Sequence, residues 1–195
     1  MLFGCDVSKW QANRVDFSKY DFVIMKASEG KTLKDKYLDA HYDRLHGSKD
    51  GKPDDTKLYG FYHYAHPENN TPEEEAELFL SLVGHHAGHC LFILDWEGKA
   101  LKQPITWARK WLDIVYKKTG VKPLIYVQGS YTKNLQIIKE GDYGLWVAHY
   151  NPKGGKPTIG VYDYWALWQY TSVPLDRDYF NGTAEQFKKY CSKSK

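Results

Sequence analysis

Short apolar segments recur along the chain, and helical patterns separate the early ones. Each segment has the length of a β-strand and is rich in β-branched or aromatic residues. Apolar runs that are almost continuous are typical of parallel strands covered on both faces. Strands that alternate with helices predict an α/β fold built on a parallel sheet. The seven predicted strands are residues 2–7, 22–27, 58–64, 90–95, 123–127, 145–148 and 164–168.

Helix signals lie between the early strands. Thr71 can cap a helix that begins at Pro72, and Glu74 completes a capping box. A second helix is predicted over residues 106–119, because Gly120 supplies a stop. Further helices are predicted within residues 34–47 and 131–138, a short one between residues 8 and 20, and a frayed helix end at residues 188–195.

The pattern changes after residue 145, where strands follow one another with loops only. Residues 151–160 are predicted to form a loop, and an eighth strand is predicted near residues 175–178. Eight strands would imply a barrel. Ordinary (β/α)8 barrels need about 250 residues, so a chain of 195 residues would have lost its last helices. We predict a single domain over residues 1–195.

Charge and cysteine content exclude some classes of protein. The net charge of +3 does not indicate the clustered basic patch of a nucleic-acid-binding protein, but it is compatible with attraction to an anionic polymer. An odd count of three cysteines argues against a disulfide framework. We recognise no signal peptide and no apolar run long enough to span a membrane. We therefore expect synthesis in the cytoplasm.

The sharpest chemical signal is Asp95-Trp96-Glu97, at the end of the fourth predicted strand. Functional side chains of α/β barrels gather at the carboxyl ends of the strands. Residues i and i+2 of a strand point to one face, about 6.6 Å apart along the chain. Two such carboxylates resist ionising together, so one pKa should rise while the other stays low. That division suits glycoside hydrolysis; the alternative is a pair of surface acids in a turn.

Other strand ends also carry acids, each with a structural alternative. Asp6 stands at the end of the first strand and could be a turn or helix-capping residue. Asp176 could form a local ion pair with Arg177, and Lys26 could be a buried partner for one of the acids. Tyr and Trp rings suit a groove that stacks on sugars, although an aromatic-rich core would also use them. The remaining candidates at strand ends are Tyr62, Tyr126, Trp146, Tyr150 and Gln169.

A histidine-rich segment, residues 84–90, has the composition of a metal site. On a helix His85 and His89 would share a face, as zinc ligands can. Two glycines favour a loop instead, so we predict no functional metal and no other cofactor. Adventitious binding of nickel or zinc stays open. No serine-hydrolase elbow, Walker loop or dinucleotide-binding fingerprint occurs.

The strand-end residues stand in motifs that resemble glycoside hydrolase family 25, the lysozymes (N-acetylmuramidases) common in phage endolysins and bacterial autolysins. The motifs follow one another in order over nearly the whole chain, which makes the resemblance highly specific. They are residues 6–11, 22–30, 60–64, 93–97, 125–126, 145–150 and 167–171, and the resemblance closes near residues 175–180.

The resemblance implies a flattened TIM-like barrel of eight strands and about five helices, (β/α)5(β)3. It also implies a catalytic domain that cleaves the β-1,4 bond between N-acetylmuramic acid and N-acetylglucosamine in bacterial peptidoglycan. Glu97 matches the family's proton donor and Asp95 its partner, and Asp6 and Asp176 match two further acids. The substrate-binding residues are expected to be Tyr62, Tyr126, Trp146, Tyr150, Gln169 and Lys26.

Two positions depart from the family pattern. The closing motif usually reads Asp-x-Asn and here reads Asp176-Arg177-Asp178, so we expect Asp178 to add negative charge. His149 stands at a position where the pattern varies. Neither departure touches Asp95 or Glu97.

Two mechanistic roles for Asp95 stay open. It could attack the anomeric carbon as a nucleophile, or it could orient the substrate's own acetamido group for that attack. We favour the second, because the substrate carries that group. We expect a monomer that acts on the wall after release and neither binds nucleic acid nor inserts into membranes. The rival functions are a glycosidase for another N-acetylglucosamine polymer and a wall-binding module without catalysis.

Overall fold

Eight strands close into a barrel in the computed structural model, which describes residues 1–47, 56–150 and 155–194. The strands are β1 (Leu2–Val7), β2 (Phe22–Glu29), β3 (Leu33–Lys34), β4 (Leu58–Tyr64), β5 (Leu91–Asp95), β6 (Leu124–Gln128), β7 (Gly144–Ala148), β8 (Leu167–Thr171) and β9 (Arg177–Phe180). The helices are α1 (Leu38–His46), α2 (Pro72–Val83), α3 (Ile105–Thr119), α4 (Gln136–Glu140) and α5 (Ala184–Cys191). The predicted barrel is confirmed.

The barrel is mixed rather than wholly parallel. Its strands follow the order β1-β9-β8-β7-β6-β5-β4-β2, and pairing of β1 with β2 closes the ring. Neighbours from β1 round to β8 are parallel, whereas β9 is antiparallel to both β8 and β1. Only a short loop joins β8 to β9, and such a loop connects antiparallel strands, since a parallel pair needs a long crossover. The two-residue β3 extends β2 outside the ring.

The last two strands begin later than the sequence predicts. The strand predicted at residues 164–168 is β8, Leu167–Thr171, and the one near residues 175–178 is β9, Arg177–Phe180. Tyr164 is 59 % exposed and belongs to the surface, whereas Trp165 is partly buried against the core, and neither lies in a strand. Of the predicted loop at residues 151–160, the first four residues lie outside the described part of the chain.

The capped helices follow the sequence closely. Thr71 and Glu74 form the predicted capping box of α2, and Gly120 ends α3 with φ of +75°. The helix predicted within residues 131–138 is divided into a 3₁₀ turn and the short α4. The short helix predicted between residues 8 and 20 is the 3₁₀ turn Phe17–Lys19.

The helix predicted as a frayed end is instead the capped helix α5. Thr183 and Gln186 form a second capping box, and Phe187 and Cys191 are buried. The ring of Phe187 lies 5.5 Å from that of Phe22 and packs into the barrel interior. This helix therefore helps to fill the barrel.

The core has two layers because strand residues alternate in direction. Val23 and Met25 pack outward against the helices, whereas Phe22 and Ile24 fill the barrel interior. All three cysteines are buried and free. In the described ranges, no helix has the length and apolar character needed to cross a membrane. The filled interior leaves the carboxyl ends of the strands as the open face.

Candidate active site

A groove with a volume of about 260 Å³ opens at the carboxyl ends of the barrel strands. The ten side chains that the sequence predicts for the site all line it, and four others join them. The ten are Asp6, Lys26, Tyr62, Asp95, Glu97, Tyr126, Trp146, Tyr150, Gln169 and Asp176. The four not singled out are Ser8, Trp10, Gln11 and Tyr64.

A signal for the four missed residues was present in the sequence. Ser8, Trp10 and Gln11 follow β1 directly, in a loop that must lie at the same end of the barrel as Asp6. Tyr64 stands two residues after Tyr62 in β4, so both rings point to one face. Trp10 is 77 % exposed at the groove edge, and Lys9 Nζ lies 5.1 Å from the centre of its ring.

Asp95 and Glu97 lie side by side at the end of β5. Asp95 is buried and is paired in register with Tyr64 of β4 and Tyr126 of β6. Trp96 points the opposite way, is fully buried, and packs against Trp107. This alternation places both carboxyl groups in the groove.

Burial sets the protonation of this pair. Burial and the negative charge of Glu97 raise the pKa of Asp95 well above its usual range. Burial also raises the pKa of Glu97, and the nearby Lys26 opposes that rise. The sequence predicts one raised and one ordinary pKa, but both are raised because the groove shields both groups from water. The pair therefore retains a proton at a pH where an isolated carboxyl group would lose it.

Asp6 is tied to the far side of the barrel by a hydrogen-bonded chain. The amide Nε2 of Gln169 donates to Asp6 Oδ2 at 2.7 Å. The hydroxyl groups of Tyr126 and Tyr150 both donate to Gln169 Oε1, at 2.9 and 2.8 Å. Burial and the negative charge of Asp176 raise the pKa of Asp6 above its usual range, whereas Gln169 and Asp178 oppose that rise. Asp6 is thus a buried floor residue, and the turn or capping alternative is not what the structure contains.

Trp146 lies under the groove rather than along its wall. It is 2 % exposed, and its indole Nε1 donates to Asp178 Oδ1 at 2.9 Å. Its ring meets those of Tyr126 and Tyr62 at steep angles, 65° and 76°. Trp146 therefore positions the tyrosines from below.

Lys26 is the one cation among the described residues that line the groove. Its Nζ donates to Glu29 Oε2 at 2.6 Å and lies 4.8 Å from the centre of the Tyr64 ring. Glu29 Oε1 lies 2.9 Å from His66 Nε2. Lys26 thus has a salt-bridge partner, as the structural alternative foresaw, but that partner is Glu29.

Asp176 completes the acidic lining. It follows β8 and faces Asp6 and Glu97 across the groove, and burial together with the charge of Glu97 raises its pKa to about 6. Four carboxyl groups and one ammonium group therefore share a small space. Such a site can hold protons in place and stabilise positive charge that develops in a bound ligand.

The histidines contribute to structure elsewhere. His63 is fully buried outside the barrel, where Ser28 Oγ and Glu75 Oε2 lie 2.8 and 2.7 Å from its ring nitrogens. His149 Nδ1 accepts from the backbone N–H of Thr158 at 3.1 Å. In residues 1–47, 56–150 and 155–194, no group of three or more His, Cys, Asp or Glu side chains could hold a metal ion.

Comparison with known proteins gives one family. The model of Glycosyl hydrolases family 25 matches residues 5–178, which is most of the chain. The chain is 28 % identical to the uncharacterized protein YegX of Escherichia coli (strain K12), covering 97 % of this chain and 73 % of that protein. It is 30 % identical to the autolytic lysozyme of Clostridium acetobutylicum, covering 80 % of this chain and 47 % of that protein.

A solved structure agrees with the family match. The family GH25 lysozyme from Aspergillus fumigatus superposes with a TM-score of 0.78, at 26 % identity, covering 98 % of this chain and 99 % of that one. The match extends over the barrel and over the strand ends that carry the groove. The chain therefore belongs to glycosyl hydrolases family 25 and is a glycoside hydrolase of the lysozyme type.

Proposed function

We propose that the groove cleaves the β-1,4 bond between N-acetylmuramic acid and N-acetylglucosamine in bacterial peptidoglycan. The observation that carries this proposal is the pairing of the buried Asp95 with the half-buried Glu97 at the end of β5, within a groove lined by two further acids. Family membership and the lysozymes among its relatives point to the same substrate.

In the proposed reaction, Glu97 donates its proton to the glycosidic oxygen as the bond to the anomeric carbon breaks. Asp95 orients the acetamido group of the N-acetylmuramic acid unit, whose oxygen attacks the anomeric carbon. Water then opens the resulting cyclic intermediate, so the anomeric configuration is retained. Asp6 and Asp176 supply negative charge that favours the protonated form of Glu97 and the positive charge that develops on the sugar.

The reducing ends of the products test this function. We expect digestion of purified peptidoglycan, followed by borohydride reduction, to yield new reduced ends of muramic acid. New glucosamine ends would contradict the proposal and indicate a glucosaminidase. The absence of any new ends would indicate a wall-binding module, and cleavage of chitin at the same rate would indicate a broader glycosidase.

Lys26 gives a prediction about pH. Replacing Lys26 with Met should raise the pKa of Glu97, because the ammonium group stabilises the ionised carboxylate. Glu97 then keeps its proton to higher pH, so the upper limb of the pH–rate profile is expected to move upward. The measurement is the initial rate of wall lysis across pH. Lys118→Met, an exposed position at the end of α3, is the matched control. An upper limb that stays in place or moves downward would contradict the prediction.

We also propose that the protein acts as a monomer on the cell wall after release from the cytoplasm, without nucleic acid and without insertion into a membrane. One barrel carries every groove residue in the described part of the chain, which supports a monomer. Light scattering at assay concentration would test this, and a stable dimer would contradict it.

A further inference from the structure

A second pair of carboxyl groups lies beneath the floor of the groove. Asp178 is fully buried in β9, opposite Gly4 of β1 and Gln169 of β8. Asp6 stands two residues after Gly4 and is the diagonal neighbour of Asp178 on the same face of the sheet. The two side chains therefore face each other, and each shifts the pKa of the other: Asp6 raises the pKa of Asp178, and Asp178 lowers that of Asp6.

The partners of Asp178 leave one oxygen without a donor. Oδ1 accepts from the indole Nε1 of Trp146 at 2.9 Å. Oδ2 is buried and receives no hydrogen bond from any donor group in the described part of the chain. Asp6 is different, because its Oδ2 already accepts from Gln169. Since a carboxylate oxygen cannot donate, the contact between the two acids is a hydrogen bond only when one of them carries a proton.

We propose that Asp178 retains its proton through the neutral range and donates it in a hydrogen bond to Asp6, so that it acts as a positioning residue for the groove floor. The hydrogen bonds then run in one direction on each side of Asp6. Tyr126 and Tyr150 donate to Gln169, which donates to Asp6, and Asp178 donates to Asp6 from below. Asp6 is thereby fixed by two donors from two different strands.

The surroundings of Asp178 favour the protonated form. Burial and the negative charge of Asp6 raise the pKa of Asp178 well above its usual range. The ionisable groups that act on it are Asp6 from β1 and Asp176 from the loop before β9, whereas Cys5 of β1 points to the opposite face of the sheet. Trp146 and Gln169, from β7 and β8, are neutral. None of these neighbours supplies the positive charge that would stabilise an ionised Asp178.

Two consequences follow for the groove. A protonated Asp178 adds no negative charge to a site that already holds four acids, although its residue type suggests that it would. When Asp178 loses its proton at high pH, two buried carboxylates face each other and Asp6 loses one of its donors. This disturbs the position of Asp6 in the floor. The resulting loss of activity rests on the proposed function.

The protonation state can be measured without substrate. Isotope-labelled aspartate carboxyl carbons are followed by NMR across pH, and the Asp178 signal is assigned by its loss in Asp178→Asn. We expect the signal to stay at the position of a protonated carboxyl group from about pH 5 to pH 8, although an ordinary Asp titrates near pH 3.9. A signal that titrates near this ordinary value would overturn the proposal.

Thermal stability gives a second readout. The folded wild-type protein keeps a proton that the unfolded chain loses above about pH 4, so the wild-type protein loses stability as the pH rises towards the folded pKa. Asn at this position has no such proton and can donate to Asp6 from its amide. The melting temperature of Asp178→Asn minus that of the wild-type protein is therefore expected to rise between about pH 5 and pH 8. A flat or falling difference would overturn the proposal, and Asp43→Asn, at an exposed position, is the matched control.

Activity separates positioning from catalysis. In Asp178→Asn the rate of wall lysis at neutral pH should stay within about twofold of the wild-type rate, and activity should extend to higher pH. Asp178→Leu, which lacks both hydrogen bonds, should lose about tenfold or more of the wild-type rate. Equal loss in both variants would count against a positioning role. NMR and melting need no substrate, so failure of this proposal and failure of the proposed function can be told apart.

Discussion

Replacing Glu97 with Gln is expected to lower the rate of wall lysis by about 10²- to 10⁴-fold, the range that a general acid contributes. Gln has the shape of the protonated Glu side chain but cannot give up a proton to the glycosidic oxygen. Glu97 is the more exposed of the two acids, since Asp95 is buried at the end of its strand. It is therefore the group better placed to reach a bound sugar.

The measurement is single-turnover cleavage of peptidoglycan, with binding to walls measured separately. We expect wall binding to be retained, because the substitution removes charge and a proton but little volume. Glu77→Gln, an exposed position on α2, is the matched control and should cleave at the wild-type rate. A wild-type rate in Glu97→Gln would exclude Glu97 as the proton donor.

Replacing Asp95 with Asn should have the second largest effect, a loss of about 10²- to 10³-fold in kcat, as for other removed electrostatic groups at a reacting centre. The loss should appear in kcat more than in KM, because the charge matters most when positive charge develops at the anomeric carbon. Asp113→Asn is less suitable as a control, because Asp113 is paired with Arg109. The variant Asp43→Asn, at an exposed position, is again the matched control.

The two roles for Asp95 can then be separated with the substrate. Peptidoglycan whose muramic acid units lack the N-acetyl group cannot supply an acetamido oxygen. If that oxygen is the nucleophile, the wild-type enzyme should lose most of its kcat on this substrate. A retained kcat, together with a covalent glycosyl adduct on Asp95 by mass spectrometry, would instead show that Asp95 attacks directly.

The parts of the fold that the sequence predicts well are those set by local rules. The α2 helix begins at its capping box and α3 ends at a glycine with positive φ, because these signals act within a few residues. The sequence predicts only a frayed helix end at residues 188–195, because the burial of α5 depends on Phe22 and Phe180, which are distant in sequence. The boundaries of β8 and β9 depend on barrel register, and aromatic content alone does not reveal it.

The sequence by itself determined that Asp95 and Glu97 share a face and stand at a strand end, because strand side chains alternate with a period of two. It also predicted that acids and aromatic residues from other strand ends would gather beside them. Only the tertiary structure decided which of these groups touch. Gln169 reaches Asp6 across 163 residues of chain, and Asp178 meets Asp6 and Trp146 beneath the groove. Those contacts, and the burial that raises the pKa of each acid, arise when β9 closes the ring between β8 and β1, and no local pattern encodes that closure.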